Sequence, residues 1–146
     1  MKDMLNAITV KKVIAPISGA ASDAAIVGAI IDHQGYESAT YIIETGVISD
    51  SDATFTVLLE EGDDSTLSDN TSVADADMIS QGANAPETDA AFATADDGEV
   101  RTLGYRGTKR YTRLTLTPAV NTGAWLIGAV CVLGHRRSLP FTQPAN

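Results

Sequence analysis

The sequence predicts an all-β protein, namely an antiparallel β-sandwich or jelly roll of about six or more strands. Apolar and polar residues alternate with a period of two over several segments, as expected for strands with one buried face. Turn-forming residues separate these segments, and no stretch of ten residues shows a convincing helical pattern. The chain of 146 residues is long enough for one domain with a sizeable core.

Six segments are predicted to form the strands. Two of them, 36–45 and 53–59, alternate clearly and are joined by a short polar turn, so we expect them to pair as an antiparallel hairpin. Segment 124–133 is apolar on both faces, which is typical of a strand that is central in a sandwich or covered by a partner subunit. In chain order the segments are 24–31, 36–45, 53–59, 99–105, 110–117 and 124–133.

The remaining parts of the chain lack a regular period. Residues 1–23 mix lysines with proline and small residues, and they are predicted to form an extended N-terminal arm. The sandwich domain then covers 24–137, followed by a proline-broken C-terminal tail at 138–146. Within the domain, 60–98 is predicted to be a long acidic loop region. A loop of this length is unusual in a compact domain, and we expect it to lie across the sheet or against a neighbouring molecule.

Charge is distributed unevenly along the chain, whose formal net charge is −9. No lysine or arginine lies between Val13 and Val100, and this block holds 18 of the 19 acidic residues. The block therefore carries −18, while the ten basic residues and Asp3 outside it carry +9. Such a separation favours association, with the basic part of one copy against the acidic block of another. Alternatively, the two parts neutralise each other within one fold.

Nucleic acid is not expected as a partner, because an acidic block repels phosphates.

The sequence contains no pattern of a known catalytic or phosphate-binding site. His33 and His135 lack an HxxxH or HExxH context, so both are interpreted as ordinary loop or strand-end residues. Neither GxxxxGK nor GxGxxG occurs. Cys131 lies in an apolar segment and is interpreted as a buried thiol. We therefore expect no enzymatic activity and no cofactor.

Acidic and aromatic residues offer two weaker site hypotheses. Asp50 with Asp52, and Asp63 with Asp64, supply the oxygen ligands that calcium prefers, but the Gly and Glu of an EF-hand loop are missing. We interpret these clusters as solvated acidic surface and predict no metal site. The aromatic residues are interpreted as core or interface packing rather than as a sugar-binding platform. They are Tyr36, Tyr41, Tyr105, Tyr111 and Trp125.

The sequence also lacks features of membrane and secreted proteins. No apolar segment approaches the ~18–20 residues of a membrane-spanning helix, and the N-terminus is a poor match to a signal peptide. A single cysteine excludes a disulfide framework and fits folding in a reducing cytosol. We therefore expect no membrane partner.

Two long segments resemble a family of small virion proteins of tailed bacteriophages. They are GYESATYIIETGVISDSDATFTVLLEEGDDSTLSDNTSVADADMI at 35–79 and EVRTLGYRGTKRYTRLTLTPAVNTGAWLIGAVCVLGHRR at 99–137. Members are encoded near the major capsid protein and are usually uncharacterised or described as capsid-associated. The resemblance covers about 24–137, and its most specific parts are ATFTVLLEEGDDSTLSD and GYRGTKRYTRLTLTPAVNTG. It supplies no catalytic residues.

The resemblance implies a structural role in the virion. A capsid decoration (cement) protein, which binds the outer face of the head and stabilises it, is preferred over a head–tail or tail component. The implied partners are the major capsid protein and further copies in a homotrimer, and the implied location is the capsid surface after synthesis in the host cytoplasm. A lectin-like jelly-roll module for host attachment is the alternative from another class. The basic residues expected to contact the shell or an adjacent copy are Lys11, Lys12, Arg101, Arg106, Lys109, Arg110 and Arg113.

Overall fold

The computed structural model describes residues 4–19 and 22–137, which form two facing antiparallel sheets. The strands of this part of the chain are β1 (Thr9–Gly19), β2 (Ile26–Asp32), β3 (Tyr36–Ile48), β4 (Thr54–Gly62), β5 (Thr71–Ser72), β6 (Met78–Ile79), β7 (Phe92–Ala93), β8 (Val100–Tyr105), β9 (Tyr111–Ala119) and β10 (Trp125–Arg136). The first sheet has the order β1-β10-β3-β8-β6. The second has the order β2-β9-β4-β5, with β7 also paired to β4. The prediction of an all-β antiparallel sandwich is confirmed.

The six predicted strands correspond to β2, β3, β4, β8, β9 and β10, with ends that differ by a few residues. Strand β10 lies between β1 and β3 and pairs with both, so its predicted central position is confirmed. Alternation along these strands places one face in the core. In β3, for example, Ala39, Tyr41 and Ile43 are buried.

The predicted hairpin between 36–45 and 53–59 is wrong, because β3 and β4 lie in different sheets. Strand β3 pairs with β10 and β8, whereas β4 pairs with β9, β5 and β7. The connection at 49–53 crosses from one sheet to the other. Both arrangements bury the same alternating faces, so the period of two identifies the strands but not their neighbours.

The N-terminal segment differs from the predicted arm, because Thr9–Gly19 forms the edge strand β1 along β10. Its register shifts between Lys12 and Ile14 and again between Ile14 and Ile17. Each shift breaks the alternation of apolar residues, which explains why the sequence pattern does not reveal a strand here. Residues 1–3 and 20–21 of the predicted arm, and the predicted tail at 138–146, lie outside the described residues.

The predicted loop region 60–98 has short ordered elements rather than one free loop. It contains the end of β4, the strands β5 to β7, the helix α1 (Pro86–Asp89) and two 3-10 turns at Asp75–Asp77 and Thr94–Asp96. Its scattered apolar residues Leu67, Val73, Met78 and Phe92 are buried. Glu87 accepts a hydrogen bond from the backbone N–H of Leu59, at 2.6 Å, which ties α1 to β4. Within residues 4–19 and 22–137, no helix is long and apolar enough to cross a membrane.

The core lies between the two sheets and is built from their facing aliphatic and aromatic residues. Phe55 of the second sheet meets Trp125 of the first edge to face, with ring centroids 5.9 Å apart. Cys131 is fully buried, as predicted, and Trp125 is 5% exposed. Largest among the fully buried side chains are Tyr41, Phe55, Ile43, Leu59, Leu67, Leu103, Leu114, Leu116, Ile127 and Leu133.

Candidate functional site

Four of the seven basic residues expected to contact a partner form ion pairs within the chain. Their carboxylate partners all belong to the acidic block between Val13 and Val100. The two oppositely charged parts of the sequence therefore neutralise each other in part within one copy. The pairs are Arg101 with Asp96 at 2.9 Å and Glu99 at 3.0 Å, Lys109 with Asp63 at 2.6 Å, Arg110 with Asp32 at 2.8 Å, and Arg113 with Glu60 at 2.8 Å.

The other three, Lys11, Lys12 and Arg106, make no ion pair among the described residues. Lys12 is exposed on β1, and Arg106 is exposed in the connection between β8 and β9. Among the hydrogen bonds of the described residues, the Arg106 guanidinium donates only to the backbone oxygen of Ala76, at 2.9 Å. These three cations are therefore free of the internal carboxylates that hold the other four.

A polar cleft of about 470 Å³ opens at one end of the sandwich. Its walls come from the connection between β2 and β3, the connection between β8 and β9, and Arg137. The cations Lys109, Arg110 and Arg137 stand at this cleft, and each is paired with a carboxylate. The cleft therefore presents compensated charges rather than an open cationic pocket.

His33 lies in the cleft wall and joins a hydrogen-bonded chain that enters the core. Its Nε2 is 2.6 Å from the hydroxyl of Thr112, which also bonds the Tyr41 hydroxyl. A hydroxyl has one proton to donate, so a consistent network has Tyr41 donating to Thr112 and Thr112 donating to Nε2. Burial lowers the pKa of His33 to about 4, although the charge of Asp32 acts in the opposite direction. At neutral pH this imidazole is uncharged and its Nε2 is already used, which suits a structural role.

Two further polar groups at the cleft are also engaged. The Tyr105 hydroxyl donates to Glu61 at 2.6 Å, and burial together with this carboxylate raises the pKa of Tyr105. The Ser38 hydroxyl lies 2.8 Å from Nδ1 of His135. A serine–histidine pair acts as a nucleophile when a third group orients the imidazole. Among the hydrogen bonds and ion pairs of the described residues, none joins His135 to a carboxylate.

The acidic residues considered for calcium are engaged in hydrogen bonds and ion pairs within the chain. Asp50 is 8% exposed, and its carboxylate accepts the backbone N–H and the hydroxyl of Thr122. These bonds lower the pKa of Asp50 to about 2. Asp63 is paired with Lys109, and Asp64 accepts from Thr66. Across residues 4–19 and 22–137, no group of three or more His, Cys, Asp or Glu side chains could hold a metal ion.

The outer faces of the two sheets differ in chemistry. On the second sheet, the row opposite the core is rich in threonine, and the Glu60–Arg113 ion pair lies within it. On the first sheet, Val130 of β10 lies opposite Ile42 of β3, and both side chains point away from the core. The sequence signal for this apolar outer face is the segment 124–133, whose residues are apolar on both sides. Of the basic residues predicted to contact a partner, Lys12 lies on this face, opposite Val130.

The similarity of this chain to known proteins is a similarity of fold. No protein-family model and no curated protein matches the sequence. Among solved structures, the PBSX exported protein XepA is similar over 94% of this chain, with a TM-score of 0.55 and 12% identity. The chain spans 41% of the length of that protein.

Two further solved structures are similar at lower TM-scores. The CBM22-1–GH10 modules of xylanase 10B from Clostridium thermocellum have a TM-score of 0.40 and 9% identity, over 88% of this chain and 26% of theirs. The coat protein of Tobacco streak virus has a TM-score of 0.35 and 13% identity, over 94% of this chain and 92% of its own. The likeness to XepA, at 12% identity, describes the fold and not an activity.

Proposed function

We propose that this protein is a structural protein of a tailed-bacteriophage virion, and specifically a capsid decoration (cement) protein that binds the outer face of the head. The observation that carries the proposal is where the two resembling segments lie. Segment 35–79 supplies β3 and β4, and segment 99–137 supplies β8, β9 and β10. The resemblance therefore covers the central strands of both sheets, which form the scaffold of the domain.

Side-chain chemistry supports a structural role over an enzymatic one. The titratable groups at the cleft are tied into ion pairs and hydrogen bonds that stabilise this fold, as with His33, Tyr105 and Lys109. A decoration protein needs a rigid scaffold and surfaces for association, and it needs no set of convergent reactive groups. The fold shared with an exported protein, XepA, is compatible with this role.

The lectin-like alternative receives less support. It calls for exposed aromatic rings near the acidic loops, because sugars stack on accessible ring faces. Tyr105 is 6% exposed. Tyr36 is partly buried, and the guanidinium of Arg136 lies 4.9 Å from its ring centroid.

The test is binding of the purified protein to heads of the encoding phage that lack it, measured by co-sedimentation. We expect saturable binding and heads that rupture at a higher temperature. Reversing two of the unpaired cations, as Lys11→Glu with Arg106→Glu, should weaken binding, because these cations are not held by internal carboxylates. Arg137→Glu is the matched control outside the predicted set. Absence of binding to heads would contradict the proposal. Binding to tails alone would indicate a tail component instead.

A further inference from the structure

The outer face of the first sheet carries many apolar side chains, with Thr40 and Thr102 among them. Strand registers place the side chains of this face in rows that cross the sheet. One row runs from β6 to β1, and the next row contains Ile42 and Val130 at its centre. The apolar residues of the face are Val10, Ile42, Ile79, Val100, Leu126, Val130 and Val132.

Several of these side chains are strongly exposed for their type. Leu126 is 47% exposed, Val100 52% and Ile79 53%. Glycines at 104, 128 and 134 leave the pleated surface low between them. A sandwich strand usually presents polar residues to water on its outer face. A contiguous apolar face of this kind marks an association surface.

Two charged residues stand on this apolar face, Lys12 on β1 and Glu44 on β3. Both are exposed, and neither forms an ion pair among the described residues. Lys12 lies opposite Val130, which lies opposite Ile42, and Glu44 is two residues further along β3. Two strand spacings and two residues separate their Cα atoms by about 12 Å. They are therefore too far apart to pair within one copy.

This arrangement of charges is self-complementary. A two-fold axis in the plane of the face, halfway between Lys12 and Glu44, places the lysine of each copy on the glutamate of the other. The same rotation brings Val130 of one copy next to Val130 of the other, because Val130 lies close to the midpoint. Isologous contacts of this kind are the common form of protein dimers. The face thus carries a lysine on its edge strand β1 and a glutamate on its middle strand β3, with Val130 of β10 between them.

The size of the overlap indicates a weak contact. Because the axis runs beside β10, one strand in from the sheet edge, only part of the face of each copy lies over the other. An overlap of about three strands by six residues gives a footprint of about 14 Å by 20 Å, or about 280 Å² per copy. The accessible area of a pleated surface exceeds its footprint, so two copies bury on the order of 700 Å². This is below the usual size of specific interfaces and predicts association only at high protein concentration.

We infer that this face is the surface through which two copies of the chain associate, sheet against sheet, with reciprocal Lys12–Glu44 ion pairs. A two-fold contact builds a dimer in place of the homotrimer that the resemblance implies. The inference does not depend on the capsid role, because it concerns the free protein. Failure to bind heads would contradict the proposed function and leave the dimer standing.

The test is the mass of the purified protein by light scattering and sedimentation equilibrium, from about 1 µM to about 500 µM. We expect reversible formation of a species with twice the 15.3 kDa of one chain. Val130→Lys places a charge at the centre of the face and should abolish the dimer. Val27→Lys is the control, because Val27 is 60% exposed on the outer face of the second sheet. Unchanged circular dichroism and an unchanged midpoint of thermal unfolding verify that both variants fold.

Exchanging the charges of Lys12 and Glu44 tests the proposed ion pairs more directly than Val130→Lys does. Lys12→Glu and Glu44→Lys should each weaken the dimer by about 10-fold, because each creates two like-charge contacts. The double variant Lys12→Glu/Glu44→Lys restores both pairs and should return the dissociation constant to within about 3-fold of the original. A protein that stays monomeric at all concentrations, a trimer, or a dimer unaffected by Val130→Lys and by the charge reversals would overturn the inference.

Discussion

Acidification from about pH 7.5 to pH 5 should destabilise the protein through His33. Burial lowers the pKa of this residue from 6.5 to about 4 in the folded state. The unfolded chain therefore binds the proton more tightly than the folded chain does. Stability from the neutral imidazole is present above pH 6.5 and is lost as the pH falls towards 4. At 1.36 kcal/mol per pKa unit the full shift corresponds to about 3.4 kcal/mol, and about 2 kcal/mol of this is lost by pH 5, because the loss is complete only below pH 4.

The assay is urea unfolding at several pH values, followed by fluorescence of the single tryptophan, Trp125, which is 5% exposed. His33→Gln offers Thr112 an acceptor oxygen and cannot be protonated in this range. We expect the variant to lose about 2 kcal/mol less than the wild type between pH 7.5 and pH 5. His135→Gln is the matched control, because His135 is exposed and bonds only Ser38 among the described partners.

Carboxylates, including Glu87, whose pKa burial raises, titrate alike in the wild type and in His33→Gln, so they cancel in the difference between the two proteins. The pKa of Asp50 is about 2, so protonation of Asp50 weakens the fold only as the pH falls below its unfolded value of 3.8. An equal loss of stability in His33→Gln and wild type, or an imidazole of His33 that titrates near pH 6.5 in the folded protein, would refute the reasoning.

Two other predictions concern stability and reactivity. Arg113→Met leaves Glu60 without its guanidinium partner, and the two side chains of this pair are 23% and 15% exposed. We expect the free energy of unfolding, measured in urea at neutral pH, to fall by about 1–3 kcal/mol. The control Arg137→Met breaks an exposed pair with Glu37 and should lower it by less than about 1 kcal/mol. Equal losses in the two variants would contradict the role of burial. Burial raises the pKa of Cys131 to about 12. The native protein should therefore resist thiol reagents at mild alkaline pH and react fully in urea, and rapid labelling of the native state would show that the thiol is accessible.

The basic residues show which features of the candidate site the sequence could predict and which it could not. Their separation from the acidic block is visible in the sequence, and it left open whether the charges act between copies or within one. The structure pairs Arg101, Lys109, Arg110 and Arg113 internally. The positions of these residues along the sequence do not predict their ion pairs. Arg110 and Asp32, for example, meet only because β2 and β9 are neighbours in the second sheet.

Local alternation determined the fold class and the positions of β2, β3, β4, β8, β9 and β10, because a strand with one buried face leaves a period of two in its own residues. The same local pattern indicated that β10 is central. Tertiary structure alone decided which strands are neighbours, since β3 and β4 bury identical faces in either sheet. It also decided that residues 9–19 form a strand, because register shifts along β10 remove the alternation. The outer face with Lys12, Val130 and Glu44 exists only once β1, β10 and β3 lie side by side.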